Sequence, residues 1–319
     1  MADITSANPT LLDLIKQLHD DEFLPVIDTL VEEFEALEDM VWVQANGLTK
    51  HTYMQTLNEP AGTWTSINDD VPDERAQFKQ LVEEMAFLES YSRVDDRLVR
   101  ISKNKQKFRS NQDGRFISGL GKSFASAFIN ELTDGKSFIG LRGRLNALAH
   151  DSVYNVAESA NFTSLYLMQW GENKCHMIYP GEWKHGLAKE DLGKKLITSI
   201  EGSKQMWVSH YELAAGMVVN DEKYYARIAN IDSTQDIDTG TVAVTDKLIE
   251  ALNNMPSRGK GAVIYADKPM LTQFDISVKD KANVNLSISD AFGRPVTTFL
   301  GHPIKLVEQI GNGGEALVS

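Results

Sequence analysis

NQDGRFISGLGKSFASAFINELT, residues 111–133, is the stretch on which the fold turns. Phe116, Ile117, Leu120, Phe124, Ala127, Phe128 and Leu132 recur there at the helical period, which predicts one long helix with an apolar stripe. Asp134-Gly135 follows as a cap, because glycine enters the left-handed conformation without a Cβ penalty. Gly114, Gly119 and Gly121 each cost about 1 kcal/mol relative to alanine inside a helix. A helix so interrupted needs packing against neighbours to persist.

Charge is distributed unevenly around this helix. Residues 93–122 carry nine bases against Asp95, Asp96 and Asp113, a net +6, whereas residues 1–40 carry eleven acids against Lys16, a net −10. Opposite signs on two segments suit contact between copies; two solvated helix faces are the plainer alternative, and both stand open. The net charge of −13 argues against a chain whose main task is wrapping nucleic acid.

Upstream, Asn8 before Pro9 reads as an N-cap with proline at the first helical position. Leu11, Leu14, Ile15 and Leu18, then Val26, Ile27, Leu30, Val31, Phe34 and Leu37, follow the helical period, with Pro25 between the two pieces. Residues 49–67 change texture to Thr, His, Tyr, Met and Trp around Pro60 and Gly62, a hairpin with two polar faces that buries little in its own subunit. Over residues 77–91 the periodicity fits both helix and strand and leans toward helix. Ser92 with Asp95 makes a capping box opening a helix over 93–101.

Beyond residue 160 the chain reads mostly as strands. Residues 163–170 and 174–179 flank Gly171-Glu172-Asn173 as a hairpin, and 205–213 and 223–231 are further strands. A helix at 245–254, a strand at 262–265, a short helix at 269–274 and strands near 284–288, 296–299 and 304–307 complete the reading.

A chain of 319 residues allows about two domains and a self-sufficient core. At 42% hydrophobic and 24% charged it is an ordinary globular composition, with no apolar run able to span a bilayer. The N-terminus lacks the basic and apolar regions of a secretion signal, and the lone Cys175 suits a reducing cytoplasm.

The search for chemistry eliminates more than it finds. Gly119-Leu120-Gly121-Lys122-Ser123 resembles the end of a phosphate loop, but Phe116 stands where that loop needs glycine and the segment lies within a helical period. Asp232, Asp236 and Asp238 lack the spacing of a calcium loop, since Lys247 occupies the twelfth position counted from Asp236. The seven histidines include no zinc-like pair. No catalytic residue, metal or cofactor is expected, and the chain is read as a structural protein and not an enzyme.

Several phrases occur in one order along the chain: NPTLLDL at 8–14, MVWV at 40–43, YLMQWG at 166–171, HMIYP at 176–180, GL at 186–187 with EDLG at 190–193, RIANID at 227–232, and GRPV at 293–296 with GHPI at 301–304. With the element order, these make the chain resemble the major capsid proteins of tailed bacteriophages, in a podovirus-type branch. That resemblance implies an α+β fold with an N-terminal arm at 1–40 and an extended-loop hairpin at 41–76. A peripheral domain follows at 77–155, with the long helix as its spine and residues 77–91 as a strand. A mixed β region at 156–235 is shared with an axial domain, which takes up most of 236–319.

The function implied is a subunit that self-assembles into pentamers and hexamers of an icosahedral shell enclosing double-stranded DNA. A tube or decoration subunit is the second reading and an unrecognised hydrolase the third. Lys50, Tyr53, Trp64, Leu11, Leu14 and Phe34 are the candidate contacts between subunits; Arg109, Arg115 and Lys122 are candidates for screening packaged DNA in the lumen. The implied partners are further copies of the chain, a separate scaffolding protein, a portal, a decoration protein and DNA bound without sequence specificity, with no membrane. The implied location is the virion capsid, assembled in the host cytoplasm. No signature for covalent crosslinking is visible.

Overall fold

The computed structural model describes residues 30, 34–58, 60–130, 135–158, 160–181, 187–200, 202–238, 242–278, 286–291, 294–311 and 314–319. The Asn8-Pro9 helix start, the Pro25 break and the contact candidates Leu11 and Leu14 lie outside the described residues. In chain order the elements are β1 (Trp42–Gln44), β2 (Lys50–Asn58), β3 (Gln77–Glu84), β4 (Ala86–Asp95), α1 (Asp96–Ile101), α2 (Lys105–Ile129) and α3 (Leu141–Arg144). Then come β5 (Val153–Asn155), β6 (Phe162–Gln169), β7 (Cys175–Tyr179), β8 (Leu187–Ser199), β9 (Gly202–Val219) and β10 (Tyr225–Asp232). The last are α4 (Val244–Asn254), β11 (Ala262–Ala266), α5 (Lys268–Ser277), β12 (Leu286–Ala291), β13 (Arg294–Phe299) and β14 (His302–Leu306).

The long helix α2 starts six residues earlier than its apolar stripe suggests, because the Asn104 side chain accepts from the Lys107 N–H and caps it. It ends at Ile129 with Asn130 as the cap, not at Asp134-Gly135. Its C-terminal half is buried through Ile117, Leu120, Phe124, Phe128 and Ile129, against Phe34, Trp42 and Phe138. Just beyond it, Gly140 is held so close that a Cβ would sit 2.5 Å from the Ala127 carbonyl oxygen, so no side chain fits there. The segment 93–101 divides differently from its prediction. Ser92 to Asp95 finish strand β4, and Asp95 caps α1 by accepting from the Arg97 N–H.

Two sheets share the core made by α2. In the first, β9 runs the whole length: β7 and β8 lie in turn along one edge, β4 lies along the other, and β1 joins through β7. The second has the order β12-β13-β14-β11-β6-β10-β5. Its alternation serves two cores: Tyr166, Met168, Val263 and Tyr265 face α2, while Leu165, Leu167, Ala262 and Ile264 face α4 and α5. In β10 the parity flips at a bulge where Asn230 takes φ 59°, a left-handed conformation that asparagine tolerates.

Residues 77–91 are strand and not helix. β3 is the second strand of the hairpin, pairing with β2 from Lys50↔Glu84 to Asn58↔Gln77, so the predicted second run at 63–67 is not its partner. The hairpin predicted between residues 163–170 and 174–179 does not form. β6 lies in the second sheet and β7 in the first, and the turn at Gly171 hands the chain across. The return crossing, from β9 to β10, runs alongside: the Asn220 N–H donates to the Lys174 carbonyl at 3.0 Å, and the Lys174 ammonium lies over the Tyr224 ring at 5.6 Å.

Candidate assembly surfaces

The β2–β3 arm stands away from both sheets yet is firmly rooted. At its base Glu83 pairs with Arg144 at 2.9 Å, both largely buried, and Arg144 donates onward to the Met217 carbonyl of β9. Tyr53 is half-buried beside them, its hydroxyl pushed up to about 12 by burial and then by the Glu83 charge. His51 meets His176 of β7 edge-on, 5.8 Å between ring centres. Lys50 pairs with Glu84 across the hairpin at 2.8 Å, in the open.

Beyond the strands the tip is ordered by carboxylates. Glu74 accepts from the Gly62 N–H at 2.9 Å and from the Thr63 hydroxyl, and Asp69 accepts from the Ser66 N–H. This ordered tip presents Trp64, fully exposed, with Ile67 93% and Val71 71% exposed, and the strands add Met54, Phe78 and Val82. Large apolar side chains are thus exposed from the strands to the tip of the arm.

Phe34, expected to touch a neighbour, does not face outward. It is 2% exposed and packs against Phe124 and Phe128 of its own chain at 6.0 and 5.6 Å. Ala36, Leu37 and Met40 are buried with it, so residues 34–40 belong to the subunit core and not to a free arm. Asp39 anchors them, accepting from Lys305 at 2.8 Å and from the Tyr265 hydroxyl at 3.3 Å.

Of the three bases expected to screen DNA, Arg109 is already engaged. It donates to Asp191 at 2.8 Å and stacks over Trp207 at 4.6 Å, leaving a fifth of its side chain exposed. Arg115 and Lys122 are exposed on α2, seven residues apart and so on one face. The sequence reading missed a deeper charged group, in which Glu315 accepts from Arg142, Arg227 and Ser164. Its one legible signal was Arg227, a lone charge inside the run Tyr225-Ala226-Arg227-Ile228-Ala229-Asn230-Ile231 that otherwise reads as a buried strand.

No cluster of His, Cys, Asp or Glu among the described residues is placed to hold a metal ion. Burial pushes the Cys175 thiol up to about 12, which keeps it protonated and unreactive.

A family model described as major capsid protein GP7 matches residues 19–319. The chain belongs to that family. It is a tailed-phage major capsid subunit, a structural protein of the virion capsid and not an enzyme. Among solved structures, a chain of bacteriophage Epsilon15 is similar with TM-score 0.68 and 22% identity, covering 100% of both chains. The bacteriophage JBD30 capsid is similar with TM-score 0.50 and 12% identity, over 86% of this chain and 90% of that one. These likenesses give the fold: the α+β capsid fold of tailed phages. No curated protein sequence matches.

Proposed function

We propose that the β2–β3 arm lies across a neighbouring subunit, and that this contact, repeated around pentamers and hexamers, closes an icosahedral shell around double-stranded DNA. The observation that carries the reading is Trp64, wholly exposed at the tip of an ordered, rooted arm. Lys50, Tyr53 and Trp64 make that contact, and Leu11 and Leu14 extend it from the segment that precedes Phe34. The hairpin of the extended loop continues past residue 76 to the end of β3, and the first sheet with α2 forms the peripheral domain. The second sheet with α4 and α5 forms the axial domain, drawing on residues from 153 onward as well as on 236–319. Arg115 and Lys122 face the lumen and screen packaged DNA without reading its sequence. A scaffolding protein, a portal and a decoration protein are the further partners, and assembly takes place in the host cytoplasm.

Electron microscopy of the chain co-expressed with its scaffolding protein tests this. Closed shells are expected; a soluble monomer under every condition sinks the reading.

A further inference from the structure

Alternation along β7 sends Cys175 and Met177 into the core shared with α2 and turns His176 and Ile178 the other way, toward the root of the β2–β3 arm. There Ile178 and Val218 pack with Ala45 and Met85 against Tyr53 of the arm. Gly216 of β9 lies so near the Glu84 carbonyl oxygen that a Cβ would stand 3.0 Å from it, so arm and body touch closely at this point. A buried imidazole belongs to the same contact. His176 is 2% exposed, neither of its nitrogens has a hydrogen-bond partner among the described residues, and its ring meets His51 of β2 edge-on.

His51 cannot receive a proton from it. The His51 Nδ1 accepts from the Asn46 N–H at 3.3 Å, which puts the ring's own proton on Nε2 and leaves no lone pair free. A cavity of about 530 Å³ opens beside the two rings. The titratable groups that face His176 across it are His51 and Tyr53 from β2, Glu172 from the crossing after β6, and Asp221 and Tyr224 from the crossing after β9. β1 adds only Val43, and β9 sets Val218 opposite His176. Glu172 stands exposed at the rim, and Asp221 is held by the Lys223 N–H at 3.2 Å and its ammonium at 3.7 Å. Behind Tyr53, Glu83 is committed to Arg144. An imidazolium on His176 would thus be a buried charge with no acceptor, and the nearest relief is water admitted between β2 and β7.

We propose that His51 and His176 form an acid-released latch between arm and body: while both rings are neutral they pack and hold the arm down, and a proton taken up by His176 lifts the arm's root from β7. The release belongs to the single subunit and does not depend on the arm's seat on a neighbour. Burial first, then His51, hold His176 down to about 4 against 6.5, so the closed root binds fewer protons than the open one and opening gains as pH falls from 6.5 toward 4. At pH 5 the open root is favoured about 30-fold more than at pH 7.5, tenfold for each pH step below 6.5.

Hydrogen exchange read by mass spectrometry on the unassembled full chain tests this at pH 7.5 and pH 5, after correction for the intrinsic pH dependence of exchange. A two-stranded hairpin without its support is marginally stable, so amides of β2 and β3 report the state of the root. Their protection is expected to fall about 30-fold at pH 5. That fall is expected to be indifferent to low urea, because lifting an arm exposes little surface, whereas exchange in α2 requires the subunit to unfold and grows with urea. His176→Leu is expected to abolish the response. His51→Phe leaves His176 as the one imidazole of the pair, is expected to keep the response, and serves as the second variant should the first not fold. Unchanged protection of the arm at pH 5, a loss that grows with urea as that of α2 does, or a full response in His176→Leu overturns the proposal. So does a response abolished in His51→Phe, which moves the proton to the other ring.

Discussion

Glu315 sits between two guanidinium groups with 2% of its side chain exposed, and so does the Arg227 that faces it. Arg227 also donates to the Leu145 carbonyl at 2.7 Å and to Ser164 at 3.0 Å. The buried Arg227 is therefore compensated by one carboxylate, which it shares with the partly exposed Arg142. Glu315→Gln leaves Arg227 buried and uncompensated and is expected to cost about 3–5 kcal/mol, read as a lower denaturant midpoint of the unassembled subunit. His176 makes a second prediction. Neither of its ring nitrogens has a hydrogen-bond partner among the described residues, and burial first, then His51, hold its pKa down to about 4 against 6.5 unperturbed. The folded state thus binds fewer protons than the unfolded one, so this stability is intact above pH 6.5 and drains away as pH falls from 6.5 toward 4. The loss reaches about 3 kcal/mol at 1.36 kcal/mol per pKa unit. His176→Leu is expected to flatten the stability profile across that window; an unchanged slope assigns the loss to other groups.

At the scale of elements, legibility followed burial. α2, α4, β10 and β11 were readable because each presents at least one face to a core, and a buried face imposes a period. β3 misled for the opposite reason. Its residues are mostly exposed on both faces of a two-stranded arm, so Phe78, Leu81 and Val82 carry no alternation and mimic a helix. β8 was not predicted as a strand, because it pairs only with β9 and its edge is filled with Lys189, Glu190, Lys194 and Lys195, the charges that protect sheet edges. The β6–β7 hairpin failed because both strands are buried on both faces, and such strands do not announce their partners. The candidate contacts divided in the same way: Phe34, on the helical stripe, is core, while Trp64, on no stripe, is exposed. Trp64→Ala is accordingly expected to leave the melting temperature of the unassembled subunit unchanged while lowering shell yield severalfold. A substitution that lowers both equally points to a role inside the subunit.

For the whole molecule, the proposed enclosure of a polyanion by a chain of net charge −13 puts the weight of binding on the few cations that face it. Arg115→Gln with Lys122→Gln is expected to leave shells closed and to reduce the genome they retain, most visibly as salt is lowered and repulsion from the acidic subunit grows. Unchanged DNA content per particle removes both residues from that role. The two sheets also share a mechanical property. Besides the long path from β4 through α1, α2 and α3 to β5, they are joined by two short crossings, at Gly171 to Lys174 and at Asn220 to Tyr224, which lie side by side and are hydrogen-bonded to each other. Four or five residues stretch to no more than about 18 Å, so neither crossing holds slack. The pair fastens the two sheets at one edge, so a pull on either sheet is carried directly to the other.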